Sequence, residues 1–475
     1  MSEKVQKLLS ESTTARWFAL ILISLTMFFA YFFVDVASPI KNMFEINYRW
    51  SSEIFGMYGG MEFFFNVFFG FLILSGIILD KMGIRFTLIT SGITMVVGAS
   101  LKLYALTMVD PMADATVFGM TLPLSALIAF GGFAIFGVGV EMAGITVSKT
   151  IVKWFKGKEL ALAMGLEMAI ARLGVFSVMW LSPIFANSKA VNPSEWTPSN
   201  AILWGLVFLM IGLLSFFIYT FMDKKLEKQT GESGAEIAAE EEFKLSDIGK
   251  IFTNPGFLAI AGLCVLFYSA IFPFQRFATE MLSSKLNVDV TLAARYVSMF
   301  PIGAMILTPF IGIFLDKKGL GATMMILGAV LLTVSHLVFA LVPSESFTPT
   351  IAVFNIVILG IAFSLVPASM WPSLPKIVEE RYLGSAYGCV FFIQNIGLML
   401  VPALIGYALT AANPDVAASL AQGITTAADG TKLVYDYTVP EYIFASFGVL
   451  AFILAFVLKA IDKKKGYGLD IPNMK

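Results

Sequence analysis

The chain has 475 residues, of which 58% are hydrophobic and 14% charged, and its mean hydropathy is +0.82. This composition excludes an ordinary soluble domain and indicates a polytopic membrane protein. The net charge of −1 provides no basic surface for nucleic acid. One histidine and two cysteines, Cys264 and Cys389, do not supply the ligand cluster of a zinc or haem centre, so we expect no metal and no cofactor.

Apolar segments long enough to cross a bilayer follow one another along the chain, with one polar interruption. The first segment has no convincing signal-peptide cleavage site, so we expect it to be retained. The segments lie at about 17–40, 54–79, 84–108, 122–152, 159–186, 199–221, 255–281, 291–315, 321–343, 347–374, 382–410 and 439–461. The sequence therefore predicts an all-α membrane protein with twelve transmembrane helices. It is divided into an N-terminal six-helix half (1–222), a hydrophilic linker (223–254) and a C-terminal six-helix half (255–475).

Lysine and arginine are concentrated in alternate connections between these segments. They occur in the turn with Lys81 and Arg85, in the turn at 153–158, in the linker and in the tail at 463–465, which all fall on one side of a twelve-segment chain. The opposite connections carry far fewer. Because basic loops remain in the cytoplasm, we expect both termini and the linker to be cytoplasmic and the long loop at about 411–438 to lie on the outer side.

A short motif occurs at the same place in both halves, after the second and the eighth segment. Its copies are Gly76, Asp80 and Gly83 and, at an offset of 236 positions (312 − 76), Gly312, Asp316 and Gly319. A fixed offset of this kind indicates duplicated structural units. The first copy, GIILDKMGIR at 76–85, resembles the cytoplasmic signature of the major facilitator superfamily.

This resemblance implies two six-helix halves that enclose a substrate site near the membrane midplane. An aspartate with basic neighbours at a helix end can latch the cytoplasmic helix ends in one state, although it can also simply mark a solvated turn. We expect gating roles for Asp80, Arg85 and Asp316. Pro273 in the seventh segment removes a helix hydrogen bond, and the resulting kink suits a gate as well as simple bending.

Two charges occur deep inside neighbouring apolar segments. Glu141 lies thirteen residues before Trp154, and Arg172 lies fourteen residues after Lys158. A helical hairpin with a rise of about 1.5 Å per residue places both charges roughly 20 Å from the turn, near the middle of a hydrocarbon layer about 30 Å thick. Such charges usually mark a substrate path, but a structural ion pair between two helices would also account for them. We interpret them as binding groups, because an anion and a cation together suit a zwitterion.

Other polar residues inside the apolar segments extend the expected site. The candidate binding residues are Tyr31 and Asp35 in the first segment, Tyr268 in the seventh, and Tyr387, Gln394 and Asn395 in the eleventh. Tyr387 lies in the cytoplasmic third of its segment, and the two amides lie near mid-depth. All of them could contact a substrate held between the halves.

The remaining intramembrane charges allow more than one interpretation. Glu62, Glu167 and Glu280 could carry protons, or each could pair with a neighbour near an interface. Lys149 could pair locally or extend to the cytoplasmic interface. We expect His336 to be a structural histidine rather than a proton relay.

Several further stretches resemble one branch of the superfamily, the lysosomal dipeptide uniporters. They are WFKGKEL at 154–160, ARLG at 171–174, FPF at 272–274, LGSAYG at 383–388 and IQNIGL at 393–398. The resemblance implies that Glu141 and Arg172 contact the amino and carboxyl ends of a dipeptide, and that Tyr387 belongs to the same site. Glu167 and Lys149 depart from the pattern of the branch, which leaves proton coupling open.

The sequence thus predicts an alternating-access transporter of short peptides, first of all a dipeptide uniporter surrounded by membrane lipid, and not an enzyme. The alternatives are a proton-coupled symporter of peptides or organic anions, and a sensor or scaffold that binds without transport. Leu8 and Leu9 lack the acidic residue of a dileucine sorting signal. We therefore expect a prokaryotic relative in the cell inner membrane, with the lysosomal membrane as alternative, and a monomer with or without an accessory subunit.

Overall fold

The computed structural model of the chain describes residues 9–155, 157–190, 192–230 and 248–472. Most of these residues are helical. The helices are α1 (Thr13–Val34), α2 (Lys41–Tyr48), α3 (Ser52–Gly60), α4 (Phe64–Phe69), α5 (Phe71–Thr107), α6 (Leu124–Phe155), α7 (Leu160–Phe185), α8 (Pro198–Thr230), α9 (Ile248–Phe252), α10 (Pro255–Leu286), α11 (Val290–Val297), α12 (Met299–Lys318), α13 (Gly321–Leu341), α14 (Pro349–Ile377), α15 (Leu383–Ala412), α16 (Pro414–Ala421) and α17 (Thr438–Lys465).

The number of membrane crossings depends on how the bent region between Ser52 and Thr107 is counted. Ten other helices in the described residues are long and apolar enough to span, and the pair Ser52–Phe69 and Phe71–Thr107, bent by 69°, adds an eleventh unit. Gly83 has φ 79° and ψ 171°, which divides α5 into two helices. The bent pair therefore crosses twice, and the predicted all-α fold with twelve transmembrane helices is confirmed.

The predicted linker is only partly covered by the described residues. Helix α8 continues to Thr230, beyond the apolar segment that ends near 221, and α9 begins at Ile248. Residues 231–247, which include the acidic run at 240–242, lie outside the described part of the chain. The boundaries of the linker stay a prediction.

The duplicated motif has a similar backbone shape in both halves. Gly83 and Gly319 both have a positive φ, of 79° and 73°. Residues with a Cβ rarely adopt this region, and glycine adopts it freely. Each glycine ends the helix that carries its aspartate, Asp80 or Asp316, and lets the chain turn into the next helix. The sequence repeat therefore reflects a repeated turn.

Several helices of the C-terminal half begin at a side-chain cap. The Asn254 side chain accepts hydrogen bonds from the N–H groups of Gly256 and Phe257, and Thr348 accepts one from Ile351. Proline follows each cap at the first helical position, where its missing N–H costs nothing. Caps of this kind stabilise a helix by about 1 kcal/mol, which fixes where α10 and α14 begin.

The two ends of the bundle are named here by their connections. The terminal face holds the start of α1, the α6–α7 turn, the end of α8, the start of α10 and the end of α17. The loop face holds the remaining long connections. Lys158 Nζ donates to the Ser10 carbonyl (2.6 Å), and the Leu320 N–H donates to the Asp470 carbonyl (3.0 Å), so both ends of the described chain lie at the terminal face.

Two ordered segments on the loop face are absent from the sequence-based prediction. Strands β1 (Asp114–Val117) and β2 (Met120–Pro123) form an antiparallel hairpin in which Val117 lies opposite Met120. The long loop at 411–438 contains α16 and a β-bridge between Thr426 and Lys432. The two strands have four residues each and α16 has eight, which is too few for apolar periodicity to reveal them.

The halves contact each other closely near the loop face, where α3 packs against α15. A Cβ on Gly60 would lie 2.0 Å from the Met399 carbonyl oxygen, and a Cβ on Gly406 would lie 2.1 Å from that of Ser52. In contrast, three glycines nearer the terminal face, Gly76, Gly165 and Gly312, have no neighbouring atom within 4 Å of a Cβ position. The halves therefore touch backbone to backbone near the loop face and diverge toward the terminal face.

Gly60→Ala is expected to destabilise this contact, because its methyl group would overlap the Met399 carbonyl and force α3 away from α15. The matched variant Gly165→Ala places the same methyl group in open space on α7 and should be neutral or slightly stabilising. Overpacking of this kind costs roughly 1–3 kcal/mol. Thermal unfolding of the two purified variants should give a lower midpoint for Gly60→Ala, and equal midpoints would contradict the packing.

Candidate functional site

A cavity of about 260 Å³ lies between the halves, roughly midway along the helices that form it. Most of its wall is apolar, with a limited number of polar side chains from both halves. The polar lining residues are Tyr31, Asp35, Glu62, Glu141, Arg172, Tyr268, Gln275, Arg276, Gln394 and Asn395. A cavity with a few convergent polar groups is the usual form of a small-molecule site.

Glu141 and Arg172 face this cavity from consecutive helices. Glu141 lies 14 residues before Phe155 at the end of α6, and Arg172 lies 12 residues after Leu160 at the start of α7. Both are thus about 20 Å from the connecting turn. Both side chains are half-buried, and neither makes a salt bridge within the described part of the chain. Glu141 and Arg172 therefore do not form the structural ion pair between the two helices that was the alternative interpretation.

The Arg172 side chain reaches aromatic rings of the opposite half. Its Cζ atom lies 5.2 Å from the centre of the Phe363 ring and 5.9 Å from that of Phe272. The two rings are perpendicular, with centres 5.7 Å apart, and form a corner. A guanidinium over an aromatic face is stabilised by the ring quadrupole.

The C-terminal half contributes amide and hydroxyl groups to the wall. Gln394 and Asn395 both line the cavity, and the Gln394 Oε1 atom accepts a hydrogen bond from Cys264 Sγ (3.4 Å). Tyr268 also lines the cavity, and its hydroxyl accepts a hydrogen bond from Trp371 Nε1 (3.1 Å). These groups can donate to and accept from a polar substrate.

Tyr387 is not a lining residue of the cavity. Its hydroxyl donates to the Trp371 carbonyl (3.2 Å), and Trp371 in turn stacks on Phe391 with ring centres 4.8 Å apart. Phe391 does line the cavity. The structure therefore places Tyr387 behind the wall, where it supports Trp371.

The first helix meets the cavity at its loop-face end. Tyr31 and Asp35, four residues apart, both line the cavity. Asp35 accepts hydrogen bonds from Ser38 Oγ (3.3 Å) and from Gln275 Nε2 (3.3 Å), and the second of these bonds crosses between the halves. Pro273, on the same helix as Gln275, also lines the cavity, and α10 continues through it from Pro255 to Leu286.

A buried ion pair joins the halves on the loop-face side of the cavity. The Arg276 Nη2 atom on α10 lies 2.7 Å from Glu62 Oε2, and each side chain is 8% exposed. The guanidinium also lies 5.6 Å from the centre of the Phe133 ring. The sequence left open whether Glu62 carries protons or pairs with a neighbour. In the structure its carboxylate pairs with Arg276 across the interface between the halves.

Nearer the loop face, a cluster of buried charges closes the interface. Lys41 Nζ lies 3.2 Å from Glu45 Oε2 in its own helix and 2.7 Å from Glu280 Oε2 of the other half. Tyr435 donates a hydrogen bond to Glu45, and Tyr437 donates one to Glu280. Burial and the neighbouring Glu45 raise the pKa of Tyr435, so its hydroxyl keeps its proton and remains a donor.

Two further side-chain hydrogen bonds cross between the halves. Ser188 and Thr291 are joined by a hydrogen bond of 2.9 Å, and Trp180 Nε1 donates to Ser298 Oγ (3.0 Å). With the contacts above, they lie at or beyond the loop-face side of the cavity. The cavity-lining ring of Phe391 is 38% exposed. The cavity is therefore closed toward the loop face and open toward the terminal face.

Two of the expected gating residues at the terminal face, Asp80 and Arg85, form ion pairs within their own half. Asp80 Oδ1 on α5 lies 2.9 Å from Lys149 Nζ on α6, so Lys149 pairs with a neighbouring helix of the same half. Arg85 Nη1 lies 2.5 Å from Glu227 Oε2, and Asp223 lies near the same guanidinium at 3.9 Å. These pairs fasten neighbouring helices of the N-terminal half. The gating roles of Asp80, Arg85 and Asp316 stay a prediction.

Two buried polar groups lie away from the cavity wall. His336 Nδ1 is 2.7 Å from Glu441 Oε2, and both side chains are buried, as expected for a structural histidine. Lys102 is fully buried, hydrogen-bonded to the Tyr58 hydroxyl, and lies 4.6 to 5.4 Å from the centres of three aromatic rings. Lys102 is not among the residues singled out in the sequence, although a lone lysine in the apolar segment at 84–108 is a usable signal.

The family of the chain follows from comparison with known proteins. The profile of the Major Facilitator Superfamily matches residues 23–402 and 277–469, which together cover most of the chain. The chain belongs to the Major Facilitator Superfamily. It is a multi-pass membrane transporter of that superfamily, in agreement with the resemblance of its repeated motif.

Among curated relatives of this superfamily member are proteins named lysosomal dipeptide transporter MFSD1. The protein from Homo sapiens is 28% identical over 290 residues, and the one from Bos taurus is 29% identical over 292 residues. In both cases the match covers 60% of this chain and 59% of the relative. The chain thus spans about three fifths of the length of the curated relatives it matches.

Solved superfamily transporters share the fold. A bacterial homologue of the human lysosomal transporter Spinster, in an inward-facing and occupied conformation, has a TM-score of 0.67 and 15% identity, with 95% of this chain and 98% of that chain covered. The E. coli xylose transporter XylE, inward open, has a TM-score of 0.66 and 12% identity, with 93% and 96% covered. At such identities the likeness describes the fold alone.

Glu62→Gln is expected to weaken closure of the loop face, because it leaves the buried Arg276 without its carboxylate, at a cost of roughly 3–5 kcal/mol. Cysteines at positions 188 and 291 report on closure, since the native Oγ atoms are 2.9 Å apart. Oxidative cross-linking of this cysteine pair should slow in the Glu62→Gln variant. Glu167→Gln is the control, because Glu167 makes no salt bridge in the described residues. Equal rates for the two variants would show that the ion pair does not hold the loop face closed.

Proposed function

We propose that this superfamily transporter carries short peptides, in the first place dipeptides, by alternating access. Arg172 would bind the substrate carboxylate, and Glu141 would accept hydrogen bonds from its ammonium group. The observation that carries this proposal is that the two opposite charges share one cavity and make no salt bridge in the described residues. A zwitterion supplies both missing partners.

The chemistry of each group suits this role. A guanidinium presents parallel N–H donors that match the two oxygens of a carboxylate, and a carboxylate accepts from the three N–H donors of an ammonium group. Gln394 and Asn395 could hydrogen-bond the peptide group between the substrate termini. Tyr31, Asp35 and Tyr268 would contact the rest of the substrate. Tyr387 would contribute through Trp371.

The conformation described above would be one end state of the transport cycle. Opening the loop face requires the contacts of Glu62, Lys41 and Ser188 with the other half to separate. Closing the terminal face brings together the helix ends that carry Asp80, Arg85 and Asp316. With both termini and the linker cytoplasmic, as the basic connections indicate, the cavity opens inward.

We place the transporter in the cell inner membrane as a monomer, with the lysosomal membrane and an accessory subunit as alternatives. The lack of an acidic residue four positions before Leu8, where a dileucine sorting signal would have one, favours the first location. The names of the MFSD1 relatives favour the second. Neither location changes the proposed chemistry of the cavity.

A proton-coupled symporter of peptides or organic anions is the second candidate. It is favoured by Glu167, a half-buried carboxylate five residues before Arg172 on α7. Neither Glu141 nor Glu167 makes a salt bridge in the described residues, so either could take up a proton when Arg172 binds an anion.

Arg172→Ala is expected to abolish the selectivity of the protein for a free substrate carboxylate. A dipeptide at 100 times its Kd should stabilise the wild-type protein by about 2.7 kcal/mol, and its C-terminal amide should stabilise it far less. In Arg172→Ala the two ligands should give equal, small thermal shifts. Glu141→Gln is the matched variant: it should keep the carboxylate selectivity and lose the preference for a free over an acetylated amino group. Undiminished stabilisation of Arg172→Ala by the dipeptide would overturn the assignment.

Uptake into proteoliposomes separates the remaining functions. A uniporter should accumulate labelled dipeptide only to its external concentration, with or without a pH gradient. A proton-coupled symporter should accumulate it above that level when the external side is acidic, and Glu141→Gln or Glu167→Gln should remove the excess. Binding without any uptake would favour the sensor or scaffold.

A further inference from the structure

We infer that Phe363 and Phe272 are positioning residues that hold the Arg172 guanidinium in place for a substrate carboxylate. The inference rests on the proposed function, because it assigns a task to the clamp proposed there. Phe363 lies behind the cavity wall and is only 6% exposed. Its ring would not touch a substrate, so its effect has to pass through Arg172.

Arg172 needs an attractive partner that the ionic groups of the protein do not supply. Within the described residues it has no carboxylate partner, and its side chain is half-buried in a mostly apolar wall. A long, flexible side chain without a partner samples many rotamers, and fixing one of them costs entropy when a ligand binds. The two rings at 5.2 and 5.9 Å supply the attraction that a carboxylate supplies elsewhere.

The contact with the rings leaves the hydrogen-bond donors of Arg172 available. The attraction between the cation and the ring quadrupole is electrostatic and does not require any of the five N–H donors of the guanidinium as a hydrogen-bond donor. The donors can therefore still form a bidentate bond to a carboxylate in the cavity. A lysine, with its point charge, would lack this fixed fork.

The rings are themselves held rigidly by their neighbours. Phe363 contacts Phe300 and Tyr268, with ring centres 5.5 and 6.1 Å away, and Tyr268 stacks on Phe272 at 5.6 Å. Tyr268 is fixed in turn by its hydrogen bond from Trp371. This packed cluster holds the ring corner, and through it the guanidinium, in one position.

The contact between Arg172 and the rings joins the two halves. Arg172 belongs to α7 of the N-terminal half, and Phe363 and Phe272 belong to α14 and α10 of the C-terminal half. The contact therefore depends on the relative position of the halves. The carboxylate clamp is preorganised in the conformation seen here and becomes looser when the halves move apart at this point.

The test compares the Kd of a dipeptide with that of its C-terminal amide, measured by calorimetry on purified protein. Phe363→Leu removes the ring and keeps an apolar side chain of similar size. We expect the dipeptide Kd to rise roughly fivefold, the size of a single cation–π contact, with the amide Kd unchanged. Phe363→Tyr keeps the ring face, and its Kd for the dipeptide should equal that of the wild-type protein. Phe339→Leu is the control, since Phe339 is a buried ring of the same half that stacks on Phe274, outside the cluster around Phe363.

The double variant Phe363→Leu, Arg172→Ala distinguishes the possible failures. If the inference holds, the Phe363 substitution changes nothing further once Arg172 is absent. If Phe363→Leu leaves the ratio of the two Kd values as in the wild type while Arg172→Ala abolishes it, the clamp stands and the positioning role is overturned. If Arg172→Ala itself leaves the ratio unchanged, the proposed function fails. Phe272→Leu should also reduce the preference of the protein for the dipeptide over its C-terminal amide. This variant replaces Phe363→Leu in the test if Phe363→Leu does not fold.

Discussion

A charge that is taken out of water has to be compensated nearby, and this requirement organises the interface between the two halves. On the loop-face side of the cavity the compensation comes from the opposite half, as in the pairs of Arg276 with Glu62 and Lys41 with Glu280. A buried ion left alone costs several kcal/mol. Closure of the loop face and neutralisation of these charges are therefore one event, and separating the halves there requires water to reach each charge.

The cavity itself leaves the same requirement unfulfilled. Glu141 and Arg172 are half-buried and rely on water and, for Arg172, on aromatic rings. Water that enters from the open terminal side can solvate the two charges and so lowers the cost of leaving them without ionic partners. Occluding the empty cavity would remove that water and strand two opposite charges, whereas a bound zwitterion would compensate both. A ligand shifts a conformational equilibrium by its differential affinity for the two states. The proposed substrate would thus favour occlusion through its charged ends.

The fold was largely predictable because its main signals are local in the sequence. Apolar length reveals the spans, and the repeated glycines Gly83 and Gly319 mark turns that need a positive φ. The depth of Glu141 and Arg172 follows from helical rise alone. In contrast, the pairing of Glu62 with Arg276 joins residues 214 positions apart, and the ring of Phe363 over Arg172 joins different halves. No periodicity specifies which of several intramembrane charges meet, since that depends on how the halves pack. The sequence does not reveal how the charge of Lys102 is accommodated, because the aromatic rings around it look like ordinary core residues.

The difference between the two faces has a consequence for the opposite state. At the loop face, the pairs of Arg276 with Glu62 and of Lys41 with Glu280 join different halves, and they hold the present conformation. At the terminal face, Asp80 pairs with Lys149 and Arg85 with Glu227 inside one half, so these pairs can persist whichever way the halves move. They stiffen the N-terminal half as a unit without fixing its position relative to the other half. Closing the terminal face therefore needs interactions between the halves in addition to these pairs within one half, and the Asp80 side chain, 48% exposed at the end of its helix, is accessible for one of them. The relative stability of the two states then depends on the ion pairs that break at the loop face and on the interactions that form at the terminal face. The proposed zwitterionic substrate would add to the stability of whichever state encloses its two charges.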